Sequence, residues 1–108
     1  METIIGLLSQ IAPLALTETT LYSVPAKGHA LIEEIAVCNR VPAAASFRIS
    51  ISQLGAPTAV TDYLYFDMPL SGNDTFTTEL HLTLNPSDII RIYASSATLT
   101  FALLGQRT

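Results

Sequence analysis

From about residue 18 onward, hydrophobic and polar positions alternate with a period of two. Residues 46–52 do so without a fault, placing Phe47, Ile49 and Ile51 on one face and Arg48, Ser50 and Ser52 on the other. Residues 77–84 set Leu80, Leu82 and Leu84 against Thr77, Glu79, His81 and Thr83. Residues 98–103 repeat the pattern, with Leu99, Phe101 and Leu103 inward and Thr98, Thr100 and Ala102 outward. Successive side chains of a strand point to opposite faces, so each run predicts a half-buried strand with one wet face. The outward positions favour Thr and Ser, and β-branched Thr suits a pleated surface.

Less regular strands are predicted over residues 19–24, 29–39, 60–68 (with Tyr63, Tyr65 and Phe66) and 89–94. Breaks fall at Pro25-Ala26-Lys27-Gly28, Arg40-Val41-Pro42, Leu54-Gly55-Ala56-Pro57, Ser71-Gly72-Asn73-Asp74, Asn85-Pro86-Ser87-Asp88 and Ser95-Ser96. Breaks at intervals of about 8–14 residues, with nothing between them long enough for a core helix, predict short antiparallel strands. The expected fold is all-β: an antiparallel sandwich of seven to eight strands, jelly-roll-like, over residues 18–108.

Residues 1–17 differ. Ile4, Leu7, Leu8 and Ile11 have helical spacing, alternation also fits in part, and Pro13 ends either element. An apolar terminus must hide against its own domain or a neighbour. The sandwich reads as complete without it, so the segment is expected to be an N-terminal arm. Ile4, Ile5, Leu7, Leu8 and Ile11 are then the candidate protein interface. The stretch lacks the positive start of a signal peptide, having Glu2 there instead, and Gln10 and Pro13 interrupt it. No run approaches the roughly 18 apolar residues of a membrane span, so no membrane partner is expected and the chain reads as soluble.

Composition narrows the function. The chain has 108 residues, enough for one domain, and is 49% hydrophobic but only 13% charged. Its polarity comes from nine Ser and thirteen Thr. A net charge of −4 repels a phosphate backbone, which argues against a nucleic-acid partner. Cys38 has no second cysteine to pair with and sits in an apolar run, where it reads as a small hydrophobe.

Catalytic ingredients are thin. His29 and His81 are too few for a zinc site without a third ligand, and no serine lies in a Gly-x-Ser-x-Gly elbow. Asp62 and Asp67 are five apart and on a regular strand face opposite ways. Adjacent Glu33 and Glu34 must do the same unless a bulge or sheet edge intervenes; an edge position, or a subunit contact with Arg48 or Arg91, is the preferred explanation. Tyr63 and Tyr65 leave a carbohydrate-binding module open, although packing is the plainer role for aromatics. The sequence points to no catalytic residue, no cofactor site, no metal site and no enzyme activity.

One phrase carries a resemblance. Leu21-Tyr22-Ser23-Val24-Pro25-Ala26-Lys27-Gly28, followed by Val37-Cys38-Asn39-Arg40, resembles a group of small tailed-bacteriophage virion structural proteins. In that group a Leu-Tyr-x-Val-Pro-Ala-Gly phrase leads into a strand ending in Cys-Asn-Arg. Further matches are residues 44–48, 63–69, 73–76 and 91–96, then Phe101 through Gly105, so the likeness spans about residues 20–105. Lys27-Gly28 departs from the usual Gly-then-Lys order, which shifts the expected left-handed turn position by one residue. The resemblance implies a virion component, either a homotrimeric capsid decoration (cement) protein bound to major capsid subunits or a tail or baseplate accessory protein. It places the chain in the virion, assembled in the host cytoplasm, and carries no catalytic residues.

Overall fold

A computed structural model of the chain describes residues 4–108. Eight strands form: β1 (Ile4–Ile11), β2 (Thr19–Ser23), β3 (Ala30–Asn39), β4 (Ala45–Ser52), β5 (Tyr63–Leu70), β6 (Thr75–Leu84), β7 (Ile89–Ala94) and β8 (Leu99–Arg107). They pair antiparallel as β1 with β8, β2 with β7, β3 with β6 and β4 with β5. The chain is therefore one long antiparallel ribbon folded at the β4–β5 connection. Rolling that ribbon brings β3 against β8 and β4 against β7. Two four-stranded sheets result, one ordered β1-β8-β3-β6 and the other β2-β7-β4-β5. This is the expected jelly-roll sandwich.

The alternation read from sequence sets which side chains meet between the sheets. Phe47 and Ile49 of β4 and Leu99, Phe101 and Leu103 of β8 are fully buried, with Ile32, Ile35 and Val37 of β3 and Ile90 and Ile92 of β7. Phe47 lies at the centre, its ring 5.4 Å from Phe76, 6.1 Å from Phe101 and 6.3 Å from Tyr65. Tilted and edge-on contacts of this kind suit the ring quadrupoles.

Several local expectations change. Residues 4–11, expected as part of an arm, add to the sandwich as the edge strand β1, paired along β8 from Arg107 to Phe101. Val60–Asp62, expected within a strand, is a short 3-10 turn, and β5 begins at Tyr63. Gly28 does not adopt a left-handed conformation. Its constraint is a close approach, because a Cβ there would lie 2.6 Å from the Thr108 carbonyl oxygen. Ser50 and Ser52 point to the outer face as expected, yet both are buried. The long β4–β5 connection folds over them. Arg91 donates to the Ser52 hydroxyl (2.9 Å), the Ala56 carbonyl (2.8 Å) and Thr58 (3.2 Å), tying that connection to β7.

Residues of the Cys-Asn-Arg phrase and of the β6–β7 turn hold the two ends of the sandwich. Buried Asn39 donates through Nδ2 to the carbonyls of Ala43 (2.8 Å) and Ser71 (3.3 Å). Arg40 donates to the Ala97 carbonyl at 2.7 Å, so three connections at this end are stitched together. At the other end the buried Asp88 carboxylate accepts from the backbone N–H groups of Leu54 (3.1 Å) and Asn85 (2.9 Å). Asp88→Asn leaves one of those two donors without an acceptor. It is expected to cost about 1 kcal/mol in urea unfolding, with the native fold retained.

Candidate assembly surfaces

The outer face of the β1-β8-β3-β6 sheet is built in rungs by the strand register. Ile5, Gln106, Leu31 and Thr83 lie side by side, then Leu7, Leu104, Glu34 and Glu79, then Gln10, Ala102, Ala36 and Thr77. The β1 and β8 half of this face carries no charged outward side chain, whereas the β3 and β6 half carries Glu33, Glu34, Glu79 and His81.

That acidic half explains the adjacent carboxylates. Against β8 the register shift between Ile32 and Glu34 makes Glu33 an extra residue, so β3 changes face without sending a carboxylate inward; against β6 the extra residue lies on β6 instead. The preferred edge position is not what occurs, since β3 lies inside its sheet. Arg48 and Arg91 belong to the other sheet and do not reach Glu33 or Glu34 within the chain. His81 is the neighbour, its Nδ1 3.3 Å from Glu33 and its Nε2 4.0 Å from Glu79, with all three side chains substantially exposed.

The five candidate interface residues divide. Leu8 and Ile11 pack against the core, while Ile4, Ile5 and Leu7 are exposed, Ile5 by 77% and Leu7 by 51%. Alternation sets Leu7 outward beside Leu104 and Leu8 inward, and the register shift between Leu7 and Ser9 then brings Ile11 to the inner face, opposite Phe101. Leu14 and Leu16, which sequence reasoning missed, extend the exposed apolar run into the β1–β2 connection. Leu16 is fixed there by its N–H, which donates to the Ala94 carbonyl at 2.8 Å.

The opposite sheet exposes a second group: Leu54, Val60, Leu64 and Phe66 along the β4–β5 connection and β5. Here Arg48 lies between two rings, 4.1 Å from the centroid of Phe66 and 4.4 Å from that of Tyr93. It also donates to both carboxylate oxygens of Asp67, at 2.7 and 3.3 Å. The Asp67 hydrogen bond holds the Arg48 guanidinium above its ordinary pKa. Tyr63 and Tyr65, considered together for sugar stacking, do not form one platform. Tyr63 packs edge-on against Phe66 at 4.9 Å, whereas Tyr65 stacks with Phe47 and Phe76 and hydrogen-bonds Thr78 at 2.9 Å.

The remaining acidic groups have structural partners. Asp62 accepts from the Ala59 N–H (2.8 Å) and the Ser52 hydroxyl (3.3 Å), and does not face Asp67. An open hollow of about 460 Å³ contains Asp62 and Asp88, both already engaged. The Tyr22 hydroxyl is buried without a hydrogen-bond partner; burial pushes its pKa up and Arg107 partly offsets this. Among the described residues, no three or more His, Cys, Asp or Glu side chains are grouped to hold a metal ion, and no helix is long and apolar enough to cross a membrane. Cys38 is a half-buried free thiol in the outward row.

The sequence matches no protein family model and no curated protein. The fold does have solved counterparts. A chain from the structure of infectious bursal disease virus, Gx strain, superposes at a TM-score of 0.59 with 15% identity, covering 98% of this chain and 31% of that one. The Gt strain gives 0.53 with 13% identity over 98% and 30%. The T13 particle of the same virus gives 0.55 with 10% identity over 98% and 30%. The chain thus spans about a third of the length of these counterparts, and the likeness is one of fold: this chain shares a jelly-roll with chains of a virus particle.

Proposed function

We propose that the chain is a structural protein of a virus particle, and specifically a bacteriophage capsid decoration protein bound to major capsid subunits. The observation that carries the reading is the jelly-roll itself, matched over nearly the whole chain by chains from virus particles. The surfaces agree with it. Asn39, Arg40, Asp88 and Arg91 hold connections, while an uncharged apolar stretch remains exposed on β1 and its neighbours. Interfaces made once and kept are poorer in charge at their centre than ordinary surface.

The mechanism is adhesive. A homo-oligomer, a trimer on the resemblance to phage proteins, places several identical surfaces against neighbouring capsid subunits at once. Linked contacts hold far more firmly than each alone. Opening the shell then requires breaking them together.

Copy number on purified particles, from quantitative mass spectrometry, tests this reading against its nearest alternative. On the order of hundreds of copies is the expected result for a shell protein attached at many equivalent points. About a dozen or fewer indicates a tail or baseplate accessory position instead, and absence from the particle removes both.

A further inference from the structure

The two halves of the outer β1-β8-β3-β6 face meet within a single rung. Leu7, Leu104, Glu34 and Glu79 lie side by side across four strands, two leucines followed by two glutamates. With strands about 4.8 Å apart the rung is about 14 Å long, so one partner surface can cover all of it.

Glu34 and Glu79 are direct cross-strand partners. Like charges set opposite one another destabilise a sheet. Glu33 adds a third carboxylate at the bulge, and neither β3 nor β6 contains a Lys or Arg. Among the described residues only His81 approaches as an ion-pair neighbour, 3.3 Å from Glu33 and 4.0 Å from Glu79, and it is charged only when protonated. Glu34 has no ion-pair partner there. The isolated chain therefore carries a repulsion that nothing within the sheet offsets. Such costs to stability are kept where a surface serves a function.

We propose that this acidic half extends the apolar docking surface of β1 and β8, and that it receives a basic site on the capsid subunit. The inference rests on the reading that the chain binds a shell, and names the chemistry of the surface bound. That surface is apolar where it meets Leu7 and Leu104, and rich in Lys or Arg where it meets Glu34 and Glu79. Charge complementarity selects the occupant. The outer sheet faces of a second copy do not supply it. On its β2-β7-β4-β5 face Arg48 is neutralised by Asp67, and Arg91 is drawn into the β4–β5 connection. Its own β3 and β6 half would set carboxylate against carboxylate. Nucleic acid is repelled by the same charges. The two halves then act at different steps: the carboxylates steer and orient the encounter, and the leucines hold the complex once formed.

The test is the kinetics of the full chain binding to purified shells assembled without it, across a salt series. The on-rate should fall about tenfold or more as salt screens the carboxylates. Glu34→Gln combined with Glu79→Gln should lower the low-salt on-rate about tenfold, flatten the salt dependence and leave the off-rate near that of the parent. The same double variant, as an isolated chain, should unfold at a higher urea concentration, because the opposed charges are gone. Leu7→Ser should show the converse split, a faster off-rate with the salt dependence kept. Asp74→Asn, an exposed carboxylate in the β5–β6 turn, should change the on-rate far less. Three results would overturn the proposal: an on-rate indifferent to salt and to both carboxylates, faster binding by the double variant, or a double variant less stable than the parent. Self-association of the chain that the double variant abolishes would give the surface to a second copy and overturn it too. Binding to shells without dependence on salt or on the carboxylates sinks this inference alone, whereas no binding at any salt concentration sinks the shell reading with it.

Discussion

Phe47→Ala is expected to destabilise the chain by about 3–5 kcal/mol, a large part of the roughly 5–15 kcal/mol that holds a domain of this kind together. Phe47 is fully buried at the point where both sheets meet, and Phe76, Phe101 and Tyr65 all touch its ring. Truncation removes the transfer energy of the ring and leaves a cavity. The flanking strands cannot close it, because β4 is held on both sides by β5 and β7. Urea unfolding should show a lower midpoint with an unchanged slope. Phe66→Ala is the internal control: that ring is 56% exposed, and its loss should cost far less. A Phe47→Ala cost below about 1 kcal/mol would mean that the core is not packed around this residue.

Gly105→Ala should cost about 2–3 kcal/mol although it adds a single methyl group. Gly105 pairs with Gly6 of β1 on one side and Ile32 of β3 on the other, beside the inserted Glu33. An added Cβ would lie 2.1 Å from the Leu31 carbonyl oxygen and 3.2 Å from the Glu33 nitrogen and the Ile32 Cα. Those are backbone atoms of a strand inside the sheet, so no rotamer change relieves the overlap. The same strain should loosen β1, and hydrogen exchange should report faster amides at Ile4–Ile11 before the rest of the sandwich. An Ala variant as stable as the parent would show that the bulge at Glu33 has room to move.

These two residues mark the difference between what the sequence discloses and what it hides. The alternation around Phe47 and Phe101 is regular because the irregularities fall on their neighbours. β4 pairs with β7 without a shift, and its two shifts against β5 put the extra residues on β5. β8 pairs unbroken with β3 from Leu99 to Leu104, so the strands and their inward faces show along the chain. Gly105 gave no comparable signal. Its role depends on a bulge in a strand roughly seventy positions earlier in the chain, which no local pattern encodes. β1 was obscured for a related reason: Gly6 and the shift at Leu8 break its period, so the segment read as an arm rather than as a strand. Alternation and that shift together divide the candidate interface, with Leu8 and then Ile11 toward the core and Ile4, Ile5 and Leu7 outside. Ser50 and Ser52 were read correctly as outward, but their burial depends on a connection that Arg91 draws over them. The nested pairing of strands is likewise a long-range property; only its consequence, short strands with regular breaks, is visible along the chain.

Glu33, Glu34 and His81 illustrate the same limit from the functional side. Adjacent carboxylates in a predicted strand signal a bulge, an edge or a contact, and choosing among the three requires knowing the neighbouring strands. With β3 inside its sheet, the bulge accounts for both carboxylates and leaves them on an outer face.

The measurement that bears most directly on the account is hydrogen exchange on the chain while it sits on purified particles, set against the isolated chain. An adhesive protein must shield part of its own surface when in place. The account predicts added protection on the particle in β1 and the uncharged face of β8, with the buried core strands unchanged. Equal exchange in the two states, or a chain that never accompanies the particle, would contradict it.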